Sequence, residues 1–475
     1  MRDSSRVIML EFNELSPTLI QEFIAAGQLP NFRRLFNESL AYVTDAEERQ
    51  ENLEPWIQWV TMHTGLSYDQ HGVFLLGEGH KCTNKRTWDL VSDQGGRVFV
   101  CGSMNLRCDR PINGYVIPDP WTQGVEPTPA HEFDQYLNFV TTNVREHTNE
   151  KVPLTAADYA KFLGFMAKHG LSASTLGFIV KQQIGERFVP QHRWRKAIIL
   201  DRFQFDLFRH YYGKLDPHFA TFFINSTAHF QHLFWRNMDP SKFKVQPSAN
   251  EQADQSDAVL YGYQQMDWIV GQVLEMAGED RTIVFSSALG QQPCLKYEDQ
   301  GGKVFYRPKD FDEFLRYAGL TIPHRVEPVM SEEFNLLFQS EADAISAEQI
   351  LGLVEVNGRP GLRTRRNGQD LITGCGIFEQ IKPTSTITSR TNPTPRPFFD
   401  LLYQAEGMKS GMHHPDGIFW IRRPDRKHIV FPSKVSLRAC APTLLELMDV
   451  PAPAYMGVSA LSDTLRELPK PQLTA

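Results

Sequence analysis

Residues 7–30 read VIMLEFNELSPTLIQEFIAAGQLP. Val7 to Leu10 is an apolar run of strand length, and Ser16 to Ala25 then places apolar residues at helical spacing until Gly27 and Pro30 break the pattern. A buried strand that passes through a polar turn into a helix is one half of a βαβ unit. The same unit recurs at Arg97–Cys101, at Ala220–Ile224 before Asn225-Ser226-Thr227, and at Thr282–Phe285 after the amphipathic stretch Ser256–Met276. Short β-rich runs alternating with helical stretches predict an α/β fold with a doubly wound, mainly parallel sheet. In such sheets ligands gather beyond the carboxyl ends of the strands, so the residues that follow each strand are the place to look for chemistry.

The whole chain is consistent with a large core: 475 residues, 41% apolar and 22% charged, exclude a disordered tail or a small disulfide module. A net charge of −7 supplies no global positive field, so neither a nucleic acid polymer nor a membrane is an expected partner. The six cysteines (82, 101, 108, 294, 375 and 440) lie far apart with no CxxC pair, which predicts reduced thiols. Only four apolar residues precede Glu11, too few for a signal-peptide core, and no apolar run approaches the ~20 residues of a membrane span; a cytoplasmic location is expected. Two stretches interrupt the α/β alternation. Residues 122–196 are polar and helical in character, and residues 296–396 mix acidic, glycine-rich and Ser/Thr/Pro-rich pieces. The expected division is a core of 1–295 and 397–475 with a helical insertion at 122–196, and an inserted cap or subdomain at 296–396.

Each strand end is polar. Glu11-Phe12-Asn13-Glu14 follows the first, Asn225 through His229 to His232 the next, and Ser286-Ser287-Ala288-Leu289-Gly290-Gln291-Gln292 the next; Gly411-Met412-His413-His414 precedes a further apolar run at Ile418–Ile421. Carboxylates, amides and imidazoles gathered in this way are the materials of a metal or oxyanion site. The plainer alternative for any single segment is that polar residues cap helices and turns.

The order of segments resembles the alkaline phosphatase superfamily, and within it the type I phosphodiesterase/nucleotide pyrophosphatase branch. The resemblance rests on LPNFRRL (29–35), WVTMHTGLSYDQHGV (59–73), HFQHLFWR (229–236), YQQMDWIVGQVLE (263–275), SGMHHPDGIF (410–419) and APTLLELMDVPAPAYMGVSAL (441–461). It implies two metal ions, usually zinc, beside a nucleophile at a helix amino terminus. Matched position by position, His232 and His413 retain the histidines of one metal site. The other ligands are replaced: one Asp falls on Ala228, the first-strand Asp on Asn13, and an Asp-His pair on Ser287 and Ala288. The nucleophile falls on Pro55, which cannot attack, with Glu54 and Trp56 on either side.

The resemblance therefore implies a divergent hydrolase or transferase acting on a phosphate, phosphodiester or related sulfate or phosphonate ester, with one divalent ion, zinc by ligand type, or none. Glu11 and Glu54 are the candidate catalytic carboxylates: a carboxylate beside a buried strand needs a partner, and a second one nearby would raise its pKa toward neutrality. Glu54-Pro55 also reads as a simple helix start. His232 and His413 are the candidate metal ligands, with His229 or Glu11 as a third. Asn13, Trp56, Gln58, Asn225, Ser287, Gln291 and Gln292 are candidate substrate contacts, although Trp56 and Trp59 at i, i+3 also read as a core stripe. Two other readings stand beside this one. A non-catalytic relative would bind an anionic or nucleotide-like ligand in the same cleft; a scaffold would use 296–396 to meet a partner protein or a second copy.

Overall fold

The computed structural model describes residues 6–107, 109–122, 124–146, 154–328, 333–405 and 407–461. Cys108 lies outside them; the other five cysteines are buried thiols that form no disulfide. The fold is α/β around a nine-stranded, mainly parallel sheet. Its parallel heart is β1 (Val7–Phe12), β3 (Val98–Cys101), β4 (Gly114–Ile117), β5 (Phe219–Ile224) and β6 (Thr282–Ser287), with β2 (Leu40–Asp45) farther out. Across the sheet the order is Ile429–Val430, β2, Asp416–Arg422, β6, β1, β5, β3, β4, and Val435–Ser436 also pairs with β2. The Asp416–Arg422 strand runs antiparallel to both of its neighbours.

β1 is central because it is apolar on both faces. Ile8, Leu10 and Phe12 join one buried cluster with α1 (Pro17–Ala25), α2 (Pro30–Asn37) and the Ala258–Ala277 helix. Val7 and Met9 join a second, with α3 (Pro55–Thr64) and the Cys440–Leu447 helix. Strands covered on both faces read as continuous apolar runs, which is what the sequence shows. α1 starts where Ser16 accepts a hydrogen bond from the Leu19 amide and Pro17 takes the first helical position. α3 likewise starts on Pro55 and stops at Gly65, whose φ of 67° is the left-handed conformation of a helix end.

The two interrupting stretches differ in how they are held. Between 122 and 196 lie the helices Asp134–Glu146, Ala156–Lys168 and Ala173–Phe188, and their Phe139, Phe162 and Met166 are members of the main cluster. The later stretch has a separate core running from Val304 to Leu402. It is built on an antiparallel sheet of Leu362–Asn367, Asp370–Cys375, Glu333–Leu337 and Arg325–Pro328. Among the described residues no helix is long and apolar enough to cross a membrane.

Candidate metal centre

β1 ends between β5 and β6, and its polar turn is clamped from both sides. The Asn13 amide donates to the Ile224 carbonyl at 3.0 Å. The Leu15 amide donates to Ser287 Oγ at 3.0 Å, and the Ser16 amide to Tyr263 Oη at 2.8 Å. Between these anchors Glu14 has φ 57°, a left-handed backbone that non-glycine residues seldom adopt and that collects at functional sites. Gln231 Nε2 holds the Glu14 carbonyl at 2.8 Å, and Tyr263 Oη donates to Gln231 Oε1 at 2.9 Å.

The turn aims the Glu14 carboxylate at two histidines. His232 comes from the Ser226–Met238 helix after β5, and His413 from the Gly411–His414 strand, which pairs antiparallel with β7 (Gly290–Pro293) so that His413 faces Gln291. His232 Nε2 lies 2.9 Å and His413 Nε2 3.3 Å from the same oxygen, Glu14 Oε2. One ligand atom from each residue falls within 4.8 Å of the others. His232 Nδ1 donates to the Gly411 carbonyl at 3.0 Å, which fixes the tautomer and leaves Nε2 free to ligate. A tetrahedral zinc with ~2.1 Å bonds separates its ligand atoms by about 3.4 Å, close to the 2.9 and 3.3 Å from Glu14 Oε2 to the two imidazoles, so the donor types and these spacings fit such an ion.

The three groups shift one another's ionisation. Burial opposes ionisation of Glu14, yet the His413 and His232 imidazoles outweigh it and hold the carboxylate well below its usual range. Burial also opposes charging of His413, but Glu14 and then Glu54 raise it above an ordinary histidine. At His232 burial prevails and lowers the pKa. Glu54, immediately before α3, has Oε2 3.6 Å from His413 Nδ1 and a side chain 29% exposed. Burial pushes it up to about 7 against the pull of His413 and Lys409, with Glu14 adding to the rise.

The remaining candidates divide. Asn13 Nδ2 donates to Glu14 Oε1 at 2.9 Å and to Asn225 Oδ1 at 2.7 Å, and Trp59 Nε1 donates to Asn13 Oδ1 at 2.8 Å. Gln291 Nε2 donates to Glu14 Oε2 at 2.6 Å and to the Ala228 carbonyl at 3.0 Å, while its buried Oε1 has no partner. Gln292 holds the His413 carbonyl at 3.2 Å. These amides are therefore arms that position Glu14 and His413. Ser287, by contrast, caps backbone, donating to the Leu289 carbonyl at 2.8 Å.

Several expectations are corrected. Glu11 belongs to β1 itself, because the strand continues to Phe12, and the alternation of side chains sends it into the interior away from Glu14. There it meets His63 Nε2 at 2.8 Å and accepts from Ser103 Oγ at 2.8 Å. Glu54 is thus crowded by Glu14 and not by Glu11. His229 is exposed and stands outside the three-residue group that could hold an ion, whose third member is Glu14, not His229 or Glu11. Trp56 spends its indole N–H on the Phe74 carbonyl at 2.8 Å, and Gln58 is fully buried with Nε2 on the Asn52 carbonyl at 2.9 Å. Helical periodicity could not reveal those two orientations, which depend on how α3 docks. A cleft of about 840 Å³ lies elsewhere, between the 75–81 loop and the surface carrying Asn335 and Asp370.

No family model matches the chain, and no curated protein does. Among solved structures, the chain is similar to human ectonucleotide pyrophosphatase/phosphodiesterase 5, with 10% identity, 96% of this chain and 97% of that one covered, and a TM-score of 0.43. It is also similar to phosphonoacetate hydrolase from Sinorhizobium meliloti in complex with phosphonoformate. There the identity is 11%, the coverage 94% of this chain and 95% of that one, and the TM-score 0.40.

Proposed function

We propose that the chain is a divergent member of the alkaline phosphatase superfamily. In this reading it is a hydrolase or transferase of a phosphate, phosphodiester or related sulfate or phosphonate ester, working at one divalent-ion site made by Glu14, His232 and His413. The observation that carries this reading is the convergence of two imidazole Nε2 atoms on a single Glu14 oxygen at the carboxyl edge of the sheet. When bound, zinc or a similar ion supplies Lewis-acid polarisation of an ester oxygen. Asn13 and Gln291 hold the Glu14 carboxylate in place, and the Gly411 carbonyl orients His232. Glu54 stands across His413 with a partly exposed carboxylate, positioned to take a proton from an attacking water or alcohol. The chain's own replacement of the nucleophile by Pro55 favours direct attack over a covalent intermediate.

A specific observation favours a second reading. Ser287, where the resemblance would have a ligand of the second metal, is bonded to the chain turn, and Ala288 is apolar and buried. A neutral half-site of this kind suits a relative that binds an anionic ligand without turning it over. Elemental analysis of the purified protein, beside a dialysed and zinc-reloaded control, tests both. One equivalent per chain with turnover in a screen of phosphatase, phosphodiesterase and sulfatase substrates supports the enzyme. One equivalent without turnover supports the binding protein, and two equivalents overturn the single-ion site.

A further inference from the structure

The Ala173–Phe188 helix wears its apolar face outward. Its inner side is accounted for: Thr175 is buried, Phe178 lies under the Arg202 guanidinium at 4.7 Å, Gln182 Nε2 donates to the His192 carbonyl at 3.2 Å, and Glu186 pairs with Lys196 at 2.7 Å. On the opposite side Leu176, Val180, Ile184 and Phe188 are 45%, 56%, 54% and 81% exposed. Steps of four residues advance the helix by little more than one turn, so these four form one stripe about 18 Å long. A surface helix normally buries such a stripe; here Phe178 and Ile179 pack on the main cluster, and the second apolar row is left to solvent.

What covers the stripe is indicated by charge. Lys181 and Arg187 flank it, both exposed, and neither forms an ion pair among the described residues. Residues 156–196 hold seven Lys and Arg against two Asp and Glu, a local excess of five positive charges within a chain of net charge −7. The overall charge hides this excess in the segment, of which Arg195 is paired outside it with Asp257 at 2.9 Å. A second copy is a poor occupant: pairing two stripes would bring four cations together, and four side chains fall short of the ~800 Å² per partner of a stable interface. The helix has 16 residues and is not apolar enough to span a bilayer. An apolar stripe flanked by unpaired Lys and Arg is the pattern of a helix that lies in a lipid interface.

We propose that the Ala173–Phe188 helix docks the protein on an anionic phospholipid surface, with Leu176, Val180, Ile184 and Phe188 entering the acyl boundary and Lys181 and Arg187 facing headgroup phosphates. The test is flotation of the full chain with vesicles of phosphatidylcholine alone or with about 30% phosphatidylglycerol. The protein is expected to float with the anionic vesicles, to stay behind with the neutral ones, and to be released by salt. Val180→Glu with Ile184→Glu, and separately Lys181→Glu with Arg187→Glu, should each lower the partition roughly tenfold or more with unchanged circular dichroism, since all four side chains face outward. The proposal is overturned if the unaltered chain ignores anionic vesicles, or if both paired variants bind as well as it does. It is also overturned if sedimentation velocity finds a dimer that Val180→Glu dissociates, which would assign the stripe to a second copy.

Discussion

Glu11 and Glu14 sit three residues apart on one strand and its turn, each facing imidazole, and they differ in almost everything else. Glu11 and His63 are sealed inside the protein, 0% and 1% exposed, with Thr87 on the far side of the ring at 2.9 Å and Ser103 on the second carboxylate oxygen. Every polar atom there has a protein partner and no ligand could enter. Glu14 shares one oxygen between two histidines whose side chains are 23% and 16% exposed. The first arrangement locks β1 to α3, and the second brings together three possible donors, two of them on side chains partly open to solvent. The chemistry of the side chains is common to both; closure separates a structural pair from a candidate site.

Breaking the closed pair should cost most. His63→Ala strands a buried carboxylate, and urea denaturation is expected to register a loss of about 3–5 kcal/mol, whereas Glu14→Gln leaves only histidines that can shed a proton and should cost far less. Equal losses would erase the distinction. A third carboxylate sharpens it. Asp201 is buried with the Ser226 hydroxyl as its bonded partner, and burial raises it to about 7, against that hydroxyl and Arg202. Between about pH 4 and about pH 7 unfolding releases its proton, so stability should fall as pH rises across that range and stay lower, without further change from this group, beyond it. Asp201→Asn should remove this pH dependence, up to roughly 4 kcal/mol between the two ends of the range, measured by denaturation across it. At the open site the expected effect is on the ion: Glu14→Gln should weaken zinc binding roughly 100-fold by competition with a chelator, with the fold retained. Unchanged affinity would move the ion to other residues.

The strands around the site were legible because each is buried on both faces and reads as an uninterrupted apolar run, and His232 and His413 were legible from their motifs. Glu14 carried no comparable signal. Its place depends on a left-handed turn and on amide arms from Asn13 and Gln291, the latter 277 positions away. Glu11 misled because the strand extends two residues past Leu10, and one such extension decides which face a side chain takes. The antiparallel Asp416–Arg422 strand, inserted between β2 and β6, likewise follows from long-range pairing that local pattern does not encode.

Gly411 sets a spacing. A Cβ there would come within 2.4 Å of the Gln231 carbonyl and of Gln291 Oε1, so the backbone that carries His413 can lie against the helix that carries His232 only because this residue has no side chain. The glycine thereby acts as a calliper on the two imidazoles, and in the proposed centre the width of its jaws would set which ionic radius fits. Opening them by Gly411→Ala should shift preference from zinc toward a larger cation such as manganese, readable as a change in the ratio of the two affinities and not merely in either one. The selectivity of the centre would then reside in a residue that touches no metal at all.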